Sequence, residues 1–293
     1  MTRPDPYPSR VGGESRLLPR VDPVVHPGRD GPLSTAALAC YEQQGFLHFD
    51  ALLERQELEQ LNRDTQHLLD ERRLDDSPQV IREPGDEEIR SIFAVHEHEA
   101  AFRALVRHPR LLGIAEQLLG GAVYVHQSRI NCKPAFRGQP FHWHSDFETW
   151  HVEDGMPRMR ALSFSISLSE NRADNGPLMV VPESHRRFVS CPGATPERHY
   201  ERSLQRQEAG IPPEPVVAAL ACAHGISSPT GPIGSVTLFD CNLLHGSNGN
   251  ITPFARTNLF LVYNSVENAL EAPFSGQAPR PPHVAVRDAA PLP

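Results

Sequence analysis

The chain has 293 residues, with 36 acidic against 28 basic side chains and a formal net charge of −8. An acidic chain without a basic block is a poor partner for nucleic acid, and no stretch approaches the roughly 18 consecutive apolar residues of a membrane-spanning helix. The first twenty residues lack the apolar run of a secretory signal and the five cysteines form no C-x-x-C pair, so we expect a reduced cytoplasmic protein without a zinc–cysteine site.

Proline is concentrated at the two ends of the chain. Thirteen of the 29 prolines lie in residues 1–32 and 271–293. Proline lacks the amide donor that a helix interior or an inner strand requires, so we predict extended arms there. We therefore divide the chain into a Pro-rich N-terminal arm over 1–33, one domain over 34–270 and a Pro-rich C-terminal tail over 271–293.

Helices dominate the first half of the predicted domain. Ser34 can cap a helix that runs through Gln44 and ends at Gly45, after which residues 46–49 alternate as a strand. Residues 54–72 place four leucines on one helical stripe with a charged reverse face. Two further helices are predicted, over Glu99–Arg107 and Arg110–Leu119.

After Gly120 the pattern changes to short segments that are alternating or β-branched, separated by Gly, Pro and Asn. The predicted strands are Val123–Lys133, Ala161–Leu168, Leu178–Val181, Ser235–Phe239 and Thr257–Tyr263. Helices followed by a run of separated strands indicate a mainly β protein with supporting helices, a sandwich or barrel of jelly-roll type.

Potential metal-binding and substrate-binding side chains are most concentrated in residues 141–150, FHWHSDFETW. Alternate residues of an extended segment share one face, so we predict that the even-numbered side chains of this run point the same way. His144 and Asp146 can then offer an imidazole nitrogen and a carboxylate oxygen to one metal ion. His245 follows a strand about a hundred residues later and completes the two-histidine, one-carboxylate set of non-haem Fe(II) oxygenases.

Arg256 strengthens that interpretation. It lies eleven residues after His245 at the start of the next strand, where a 2-oxoglutarate-dependent oxygenase needs a cation for the distal carboxylate of its co-substrate. Alternatives remain open at this point, because His-x-Asp occurs often by chance and a single histidine is commonly a surface or core residue. A cupin-like set of His142, His144, Glu148 and a later histidine is a second metal alternative, although no second cupin motif surrounds His245.

A row of polar side chains follows the first long strand. Positions 127, 129, 131 and 133 hold Gln, Arg, Asn and Lys, which makes that face either the wall of a site or a solvent-facing surface. Lys133 is the only lysine among the 28 basic residues, which suggests a task for a compact ammonium that a guanidinium cannot perform. We predict that Lys133 pairs with an oxygen of the co-substrate.

Residues 141–157, FHWHSDFETWHVEDGMP, closely resemble the signature of bacterial ectoine hydroxylases, a branch of the phytanoyl-CoA dioxygenase superfamily. The resemblance covers nearly the full chain. Similar stretches are DPYPSR near the N-terminus, HQSRIN at 126–131, NGPLMVVPESH at 175–185, CPGATPERHYERSLQRQEAG at 191–210 and VYNSVEN at 262–268. Two small departures, Glu183 where glycine is common and Arg186 where lysine is common, lie outside the signature.

The resemblance implies a double-stranded β-helix (jelly-roll, cupin-like) core in a cytoplasmic homodimer. It also implies that the chain converts ectoine into 5-hydroxyectoine with Fe(II), 2-oxoglutarate and O₂, giving succinate and CO₂. The implied iron ligands are His144, Asp146 and His245; the co-substrate positions are Lys133 and Arg256, with Ser247 and Asn131 as further candidates; the ectoine positions are Gln127 and Trp150.

The chemistry of the two implied ectoine positions suits a small zwitterion. The face of Trp150 attracts a delocalised cation, and the amide of Gln127 can both donate and accept a hydrogen bond. Two alternatives remain open: a related hydroxylase acting on another small solute or amino-acid derivative, and a non-catalytic jelly-roll protein that holds a metal or solute. We expect neither nucleic acid nor a membrane as a partner.

Overall fold

The computed structural model describes residues 5–293. The helices are α1 Thr35–Gln44, α2 Arg55–Glu71, α3 Val95–His98, α4 Ala100–Leu105, α5 Pro109–Leu119, α6 Asp146–Thr149, α7 Tyr200–Ser203 and α8 Glu214–His224. The strands are β1 Leu17–Pro19, β2 Phe46–Phe49, β3 Val80–Arg82, β4 Ile89–Phe93, β5 Val123–Lys133, β6 Phe141–His144, β7 Ala161–Ser167, β8 Leu178–Val180, β9 Arg187–Val189, β10 Val236–Asp240, β11 His245–Ser247 and β12 Arg256–Ser265. Among residues 5–293, no helix combines the length and apolar character needed to span a bilayer.

Two antiparallel sheets form the body of the domain. The large sheet has the strand order β2-β10-β7-β12-β5-β4-β3, and the small sheet has the order β6-β11-β8. Leu178 of the small sheet packs with Phe239 and Phe260 of the large sheet, so apolar side chains fill the space between them. This arrangement confirms the predicted mainly β fold of jelly-roll type with supporting helices.

The helices cover the opposite face of the large sheet. Leu61 of α2, Phe102 of α4 and Leu111 of α5 belong to one buried cluster with Ile130 of β5 and Leu259 of β12. Burying an apolar face of this kind is the main favourable contribution to folding. The helical layer therefore leaves the other face of the large sheet for the small sheet and for polar side chains.

A bulge in β5 separates its apolar and polar ends. The register with β12 shifts between Val262 and Tyr263, which pair with Gln127 and Val125 respectively, so His126 is the extra residue. One extra residue moves every later side chain to the other face. For this reason Val125 packs into the helix-covered core, whereas Gln127 faces the opposite side.

The structure corrects the prediction for residues 141–150. Strand β6 ends at His144, and α6 then begins with Ser145 as its N-cap, whose hydroxyl accepts from the Glu148 amide at 3.4 Å. A short π-helical turn over Trp150–Asp154 continues to Gly155. The predicted common face of the even-numbered side chains is therefore wrong beyond His144, because a serine cap followed by acidic residues favours a helix start.

Most other predicted elements are present with small shifts in their ends. Ser34 caps α1 through its hydroxyl, which accepts from the Ala37 amide at 3.2 Å, and Gly45 ends the helix with φ of 79°. The predicted helix over 99–107 is shorter than expected and follows the single turn α3. Strands β1, β3, β4, β9 and β11 were not predicted, whereas β6 falls within the segment that was predicted to be extended.

The described parts of both terminal segments contact the domain. Tyr7 and Arg10 of the N-terminal segment and Val284 of the C-terminal segment are buried. The amide of Val286 donates to the His126 carbonyl at 2.9 Å, so the C-terminal segment bonds to the start of β5. The first four residues of the predicted arm lie outside the described residues, and the division at 33 and 270 stays a prediction.

Candidate metal centre and substrate cavity

Three side chains converge where β6, α6 and β11 meet. His144 ends β6 and pairs across the small sheet with His245, the first residue of β11, while Asp146 opens α6. Nε2 of His144 lies 3.6 Å from Oδ1 of Asp146, and Nε2 of His245 lies 3.8 Å from Oδ2. One donor atom from each of the three residues lies within 4.8 Å of the other two, a spacing that a single metal ion can bridge.

Main-chain carbonyls fix the orientation of both imidazoles. Nδ1 of His144 lies 2.7 Å from the His142 carbonyl oxygen, and Nδ1 of His245 lies 2.9 Å from the Leu243 carbonyl oxygen. A carbonyl only accepts, so each Nδ1 carries the proton and each Nε2 keeps its lone pair for a metal. His142 thus orients His144 through its backbone, not through its imidazole.

The protonation states also suit a cation. Burial and the neighbouring His144 lower the pKa of His245 to about 4, although Asp146 acts in the opposite direction. Burial raises the pKa of Asp146, but His245, His144 and Arg129 together hold the pKa of that carboxyl well below its usual range. At neutral pH the site offers a neutral imidazole and a carboxylate, the forms that ligate metals. These residues therefore fit Fe(II).

The cupin-like alternative is wrong, because the carboxylate of Glu148 binds Arg10 and Ser9 instead. Its carboxylate accepts from Arg10 Nε at 3.0 Å and from Nη2 at 2.7 Å, and from the Ser9 hydroxyl at 2.6 Å. Within residues 5–293, the metal-binding group consists of His144, Asp146 and His245 and includes neither His142 nor Glu148.

A cavity opens onto His144 and Asp146. Both predicted ectoine positions, Gln127 and Trp150, line it. The Gln127 amide donates to the Val284 carbonyl at 2.6 Å, so the C-terminal segment lies beside this wall. Further lining residues come from β4, β5, the π-helical turn, the 199–209 segment and the C-terminal segment: Ser91, Phe93, Arg129, Thr149, Glu153, His199, Ser203, Leu204, Gln207, Ala209 and Arg280.

A second group of polar residues lies around the Phe141 ring. Lys133 and Arg256 pair across β5 and β12, and Lys133 Nζ donates to the Gln139 carbonyl at 2.7 Å. Lys133 Nζ lies 4.9 Å from the Phe141 ring centroid, and Arg90 Cζ lies 3.7 Å from it. Phe141 and Arg90 also line the cavity that His144 and Asp146 line, so this cation cluster adjoins that cavity.

This cation cluster lacks a matching number of carboxylates. Arg90 is paired with Glu83 at 2.9 Å, whereas Nε of the fully buried Arg256 has no hydrogen-bond partner among residues 5–293. Burial and the charges of Arg256 and Arg90 lower the pKa of Lys133 to about 6, with Glu83 acting in the opposite direction. Burial likewise lowers the pKa of Arg256 to about 10. Buried cations in excess are stabilised by an anion.

Of the two further co-substrate candidates, Asn131 lies on β5 of the large sheet and Ser247 on β11 of the small sheet. The Asn131 side-chain oxygen accepts from the Ser91 hydroxyl at 2.7 Å, and Ser247 pairs with Phe141 across the small sheet. Neither residue lines the cavity on the metal ligands, and neither do Lys133 and Arg256. The structure therefore divides the predicted site residues between the cavity and the region around Phe141.

Three arginines that line the cavity, Arg90, Arg129 and Arg280, were not predicted as site residues. Arg129 lines the cavity between the rings of Phe93 and Phe260, with its Cζ 6.0 Å and 5.1 Å from their centroids. It belonged to the polar row of β5, which was a usable signal. Arg90 interrupts the apolar run of β4, and a charge inside a buried strand is a similar signal.

Comparison with known proteins gives consistent matches over nearly the whole chain. The profile of the family described as Phytanoyl-CoA dioxygenase (PhyH) matches residues 41–258. An ectoine dioxygenase from Sphingopyxis alaskensis is 50% identical over 279 residues, covering 94% of this chain and 91% of the relative. An ectoine dioxygenase from Stutzerimonas stutzeri is 48% identical over 286 residues, covering 97% and 95%.

Solved structures of one protein, EctD from S. alaskensis, share the fold. Its complex with 2-oxoglutarate and 5-hydroxyectoine matches with a TM-score of 0.89 at 46% identity, covering 99% of this chain and 96% of that one. Its form with bound Fe matches with a TM-score of 0.88 at 46% identity, covering 99% and 97%.

Proposed function

The chain belongs to the phytanoyl-CoA dioxygenase family, and from that premise we propose that it is an ectoine hydroxylase, which converts ectoine into 5-hydroxyectoine with Fe(II), 2-oxoglutarate and O₂. The observation that carries the proposal is the convergence of His144, Asp146 and His245 beside the cavity lined by Gln127 and Trp150. Relatives named ectoine dioxygenase at about half identity over more than nine-tenths of the chain support it.

We assign the iron to His144, Asp146 and His245. When bound, Fe(II) supplies the redox chemistry that couples oxidation of 2-oxoglutarate to succinate and CO₂ with hydroxylation of ectoine. Three protein ligands leave coordination positions for reagents. The protein's share is placement, because the carbonyls of residues 142 and 243 fix both rings before any reagent arrives.

We assign the co-substrate to the cation cluster around Phe141. 2-Oxoglutarate is a dianion, and Arg256 presents a buried guanidinium whose Nε lacks a partner. A planar guanidinium suits a bidentate carboxylate contact, while the Lys133 ammonium acts as a compact point charge. Asn131 of β5 and Ser247 of β11 are the proposed additional hydrogen-bonding residues.

We assign ectoine to the wall of the cavity formed by Gln127 and Trp150. The indole ring stands edge-on to His126 with a centroid distance of 5.0 Å, which fixes its plane. A cation over an aromatic face gains about 0.5–2 kcal/mol. The Gln127 amide already donates to Val284, and its carbonyl oxygen is available as an acceptor for the protonated ring.

The proposal is tested by incubating the protein with ectoine, Fe(II), 2-oxoglutarate and O₂. We expect one succinate for each ectoine consumed and a product heavier by one oxygen atom. A substrate panel distinguishes the rival hydroxylase, which would oxidise another small solute in preference to ectoine. Absence of succinate release with every solute would favour the non-catalytic alternative and contradict the proposal.

Co-substrate affinity is expected to depend on pH through Lys133. With a pKa of about 6, Lys133 is mostly neutral above pH 7 in the free protein, and a bound dianion raises its pKa, so binding takes up a proton. Apparent affinity for 2-oxoglutarate should therefore fall as pH rises from 6 to 8, by up to about tenfold per pH unit. Of the charged groups facing Lys133, the guanidiniums of Arg256 and Arg90 do not titrate in this range.

Calorimetric titration in two buffers of different ionisation enthalpy measures that proton uptake. Lys133→Arg is the matched variant, because a guanidinium cannot titrate there and is larger than the ammonium it replaces. We expect it to abolish the proton uptake and to weaken 2-oxoglutarate binding. Unchanged affinity in Lys133→Arg would remove the assigned role of this lysine.

We further propose that the protein acts in the cytoplasm as a homodimer, within the cell's response to osmotic stress. The five cysteines are free, which suits a reducing compartment. Size-exclusion chromatography with light scattering tests the dimer, and a mass near that of one 32.5 kDa chain would contradict it.

A further inference from the structure

We propose that Arg10 is a positioning residue for the ectoine cavity: it holds Glu148 and Glu153 at the two ends of the turn that carries Thr149 and Trp150, and so fixes that wall of the cavity. The inference rests on the proposed function for the identity of the ligand. It goes beyond it by assigning a role to the N-terminal segment, which is distant from the site in sequence.

The Arg10 guanidinium binds both carboxylates at once. Its Nε and Nη2 donate to the two oxygens of Glu148 at 3.0 Å and 2.7 Å, and its Nη1 donates to Oε1 of Glu153 at 2.5 Å. Nη2 also donates to the Thr149 hydroxyl at 3.3 Å. One planar fork therefore ties α6 to the π-helical turn that follows it.

Because these side chains are buried, the loss of their contacts is costly. The side chains of Arg10 and Glu148 are each 1% exposed, and that of Glu153 is 5% exposed. Removing the guanidinium would leave two buried carboxylates without their cation, which forces the turn to rearrange or to admit water. A rearranged turn would move Thr149 and Trp150, both of which line the cavity.

The backbone around Arg10 is held in a conformation that side chains disfavour. Arg10 has φ of 55°, in the left-handed region, and such conformations persist only where the surroundings over-determine them. Its amide donates to the Cys191 carbonyl at 2.9 Å, and the Cys191 amide donates to the Ser9 hydroxyl at 2.8 Å. These contacts aim the side chain at α6.

Arg10 also lies close to both ends of the 195–210 segment, which contributes to the cavity lining. Its Nη1 lies 3.4 Å from the Thr195 hydroxyl, and a side chain at Gly210 would collide with Arg10 and Glu148. The segment between these two residues supplies Ser203, Leu204 and Gln207 to the cavity lining. The Arg10 side chain therefore contacts both the turn that carries Trp150 and the 195–210 segment.

Arg10 does not belong to the metal centre or to the cation cluster. Its hydrogen bonds go to Glu148, Glu153, Thr149 and Thr195, and the co-substrate cluster lies on β4, β5 and β12. A loss of Arg10 should therefore change the handling of ectoine while leaving 2-oxoglutarate binding nearly intact. That asymmetry separates positioning from a general loss of stability.

The test uses Arg10→Lys and Arg10→Gln in the full chain. Arg10→Lys keeps a charge but loses the fork, so we expect the KM for ectoine to rise about 10–100-fold, as for other residues that orient a site. The KM for 2-oxoglutarate should stay within about twofold of the unmodified protein, since no Arg10 contact reaches that cluster. Arg16→Lys, on the same segment but exposed, is the matched control and should change neither value.

Hydrogen exchange gives a readout that does not depend on the ligand. Amides of residues 148–155 should exchange faster in Arg10→Lys, while those of α2 should not change. If the unmodified protein fails to hydroxylate ectoine, the proposed function is wrong. The exchange result still tests whether Arg10 holds this turn in place. Unaltered exchange with unaltered KM, or an equal rise in both KM values, would overturn the inference.

A double-mutant cycle that combines Arg10→Lys with Glu153→Gln keeps the inference testable if a single variant folds poorly. Glu153→Gln keeps an acceptor oxygen but removes the charge that Arg10 balances. If Arg10 acts through this carboxylate, Arg10→Lys should have a smaller effect on the KM for ectoine in the Glu153→Gln background. Fully additive effects would contradict the assignment.

Discussion

Replacing Asp146 by alanine is expected to lower kcat/KM for ectoine more than about 100-fold, because even the neighbours that orient metal ligands are worth about 10–100-fold. The substitution removes the one carboxylate of the set and leaves two imidazoles. Iron affinity should fall together with turnover. The measurements are succinate release, the oxygen-bearing product by mass, and iron content after equilibrium dialysis.

The matched control for this variant is Asp50→Ala. The Asp50 side chain is 90% exposed and lies at the end of β2, away from the metal ligands. It should retain iron and activity at the level of the unmodified protein. Wild-type turnover in Asp146→Ala would show that the carboxylate is not a ligand, and the assignment of the metal centre would then fail.

Replacing Arg256 by methionine is expected to raise the Kd for 2-oxoglutarate about 100-fold, since losing one partner of a buried charge pair costs about 3 kcal/mol. In the same variant the ligand-free protein should be as stable as before or more stable, because a buried guanidinium whose Nε lacks a partner is replaced by an apolar side chain of similar length. Calorimetric titration measures the first effect and thermal unfolding without 2-oxoglutarate measures the second.

A co-substrate analogue makes this result specific. 2-Oxobutanoate lacks the distal carboxylate, so its weak binding should be nearly the same in Arg256→Met and in the unmodified protein. Arg137→Met, on a side chain that is 60% exposed, is the control for removing an arginine nearby. Equal losses for both 2-oxo acids would mean that Arg256 does not bind the distal carboxylate.

Local patterns predicted much of the fold correctly. Ser34 and Gly45 bound α1 because cap chemistry depends on adjacent residues only. The long strands β5, β7 and β12 were predicted because seven or more residues give a clear alternation. The helix start at Ser145 was missed because the same residues, read as a strand, gave a satisfactory metal-binding face.

The chemistry of the site was predictable where it depends on residue type, and not where it depends on distant partners. His144, Asp146 and His245 come together as the motif indicated. The pairing of Arg10 with Glu148 joins residues 138 positions apart, and no periodicity in the sequence reports such a contact. The bulge at His126 could not be predicted either, because one extra residue in a strand does not change the composition of the sequence.

The carbonyl contacts at Nδ1 of the two metal-site histidines have a consequence for assembly. Rings that the main chain already aims do not need an ion to gather them, so metallation is a step separate from folding. This differs from small zinc domains, in which ion binding and folding are one event. Chelation should therefore yield an apoprotein that keeps its compact shape, and reconstitution with ferrous salt should restore the centre without a cycle of denaturation.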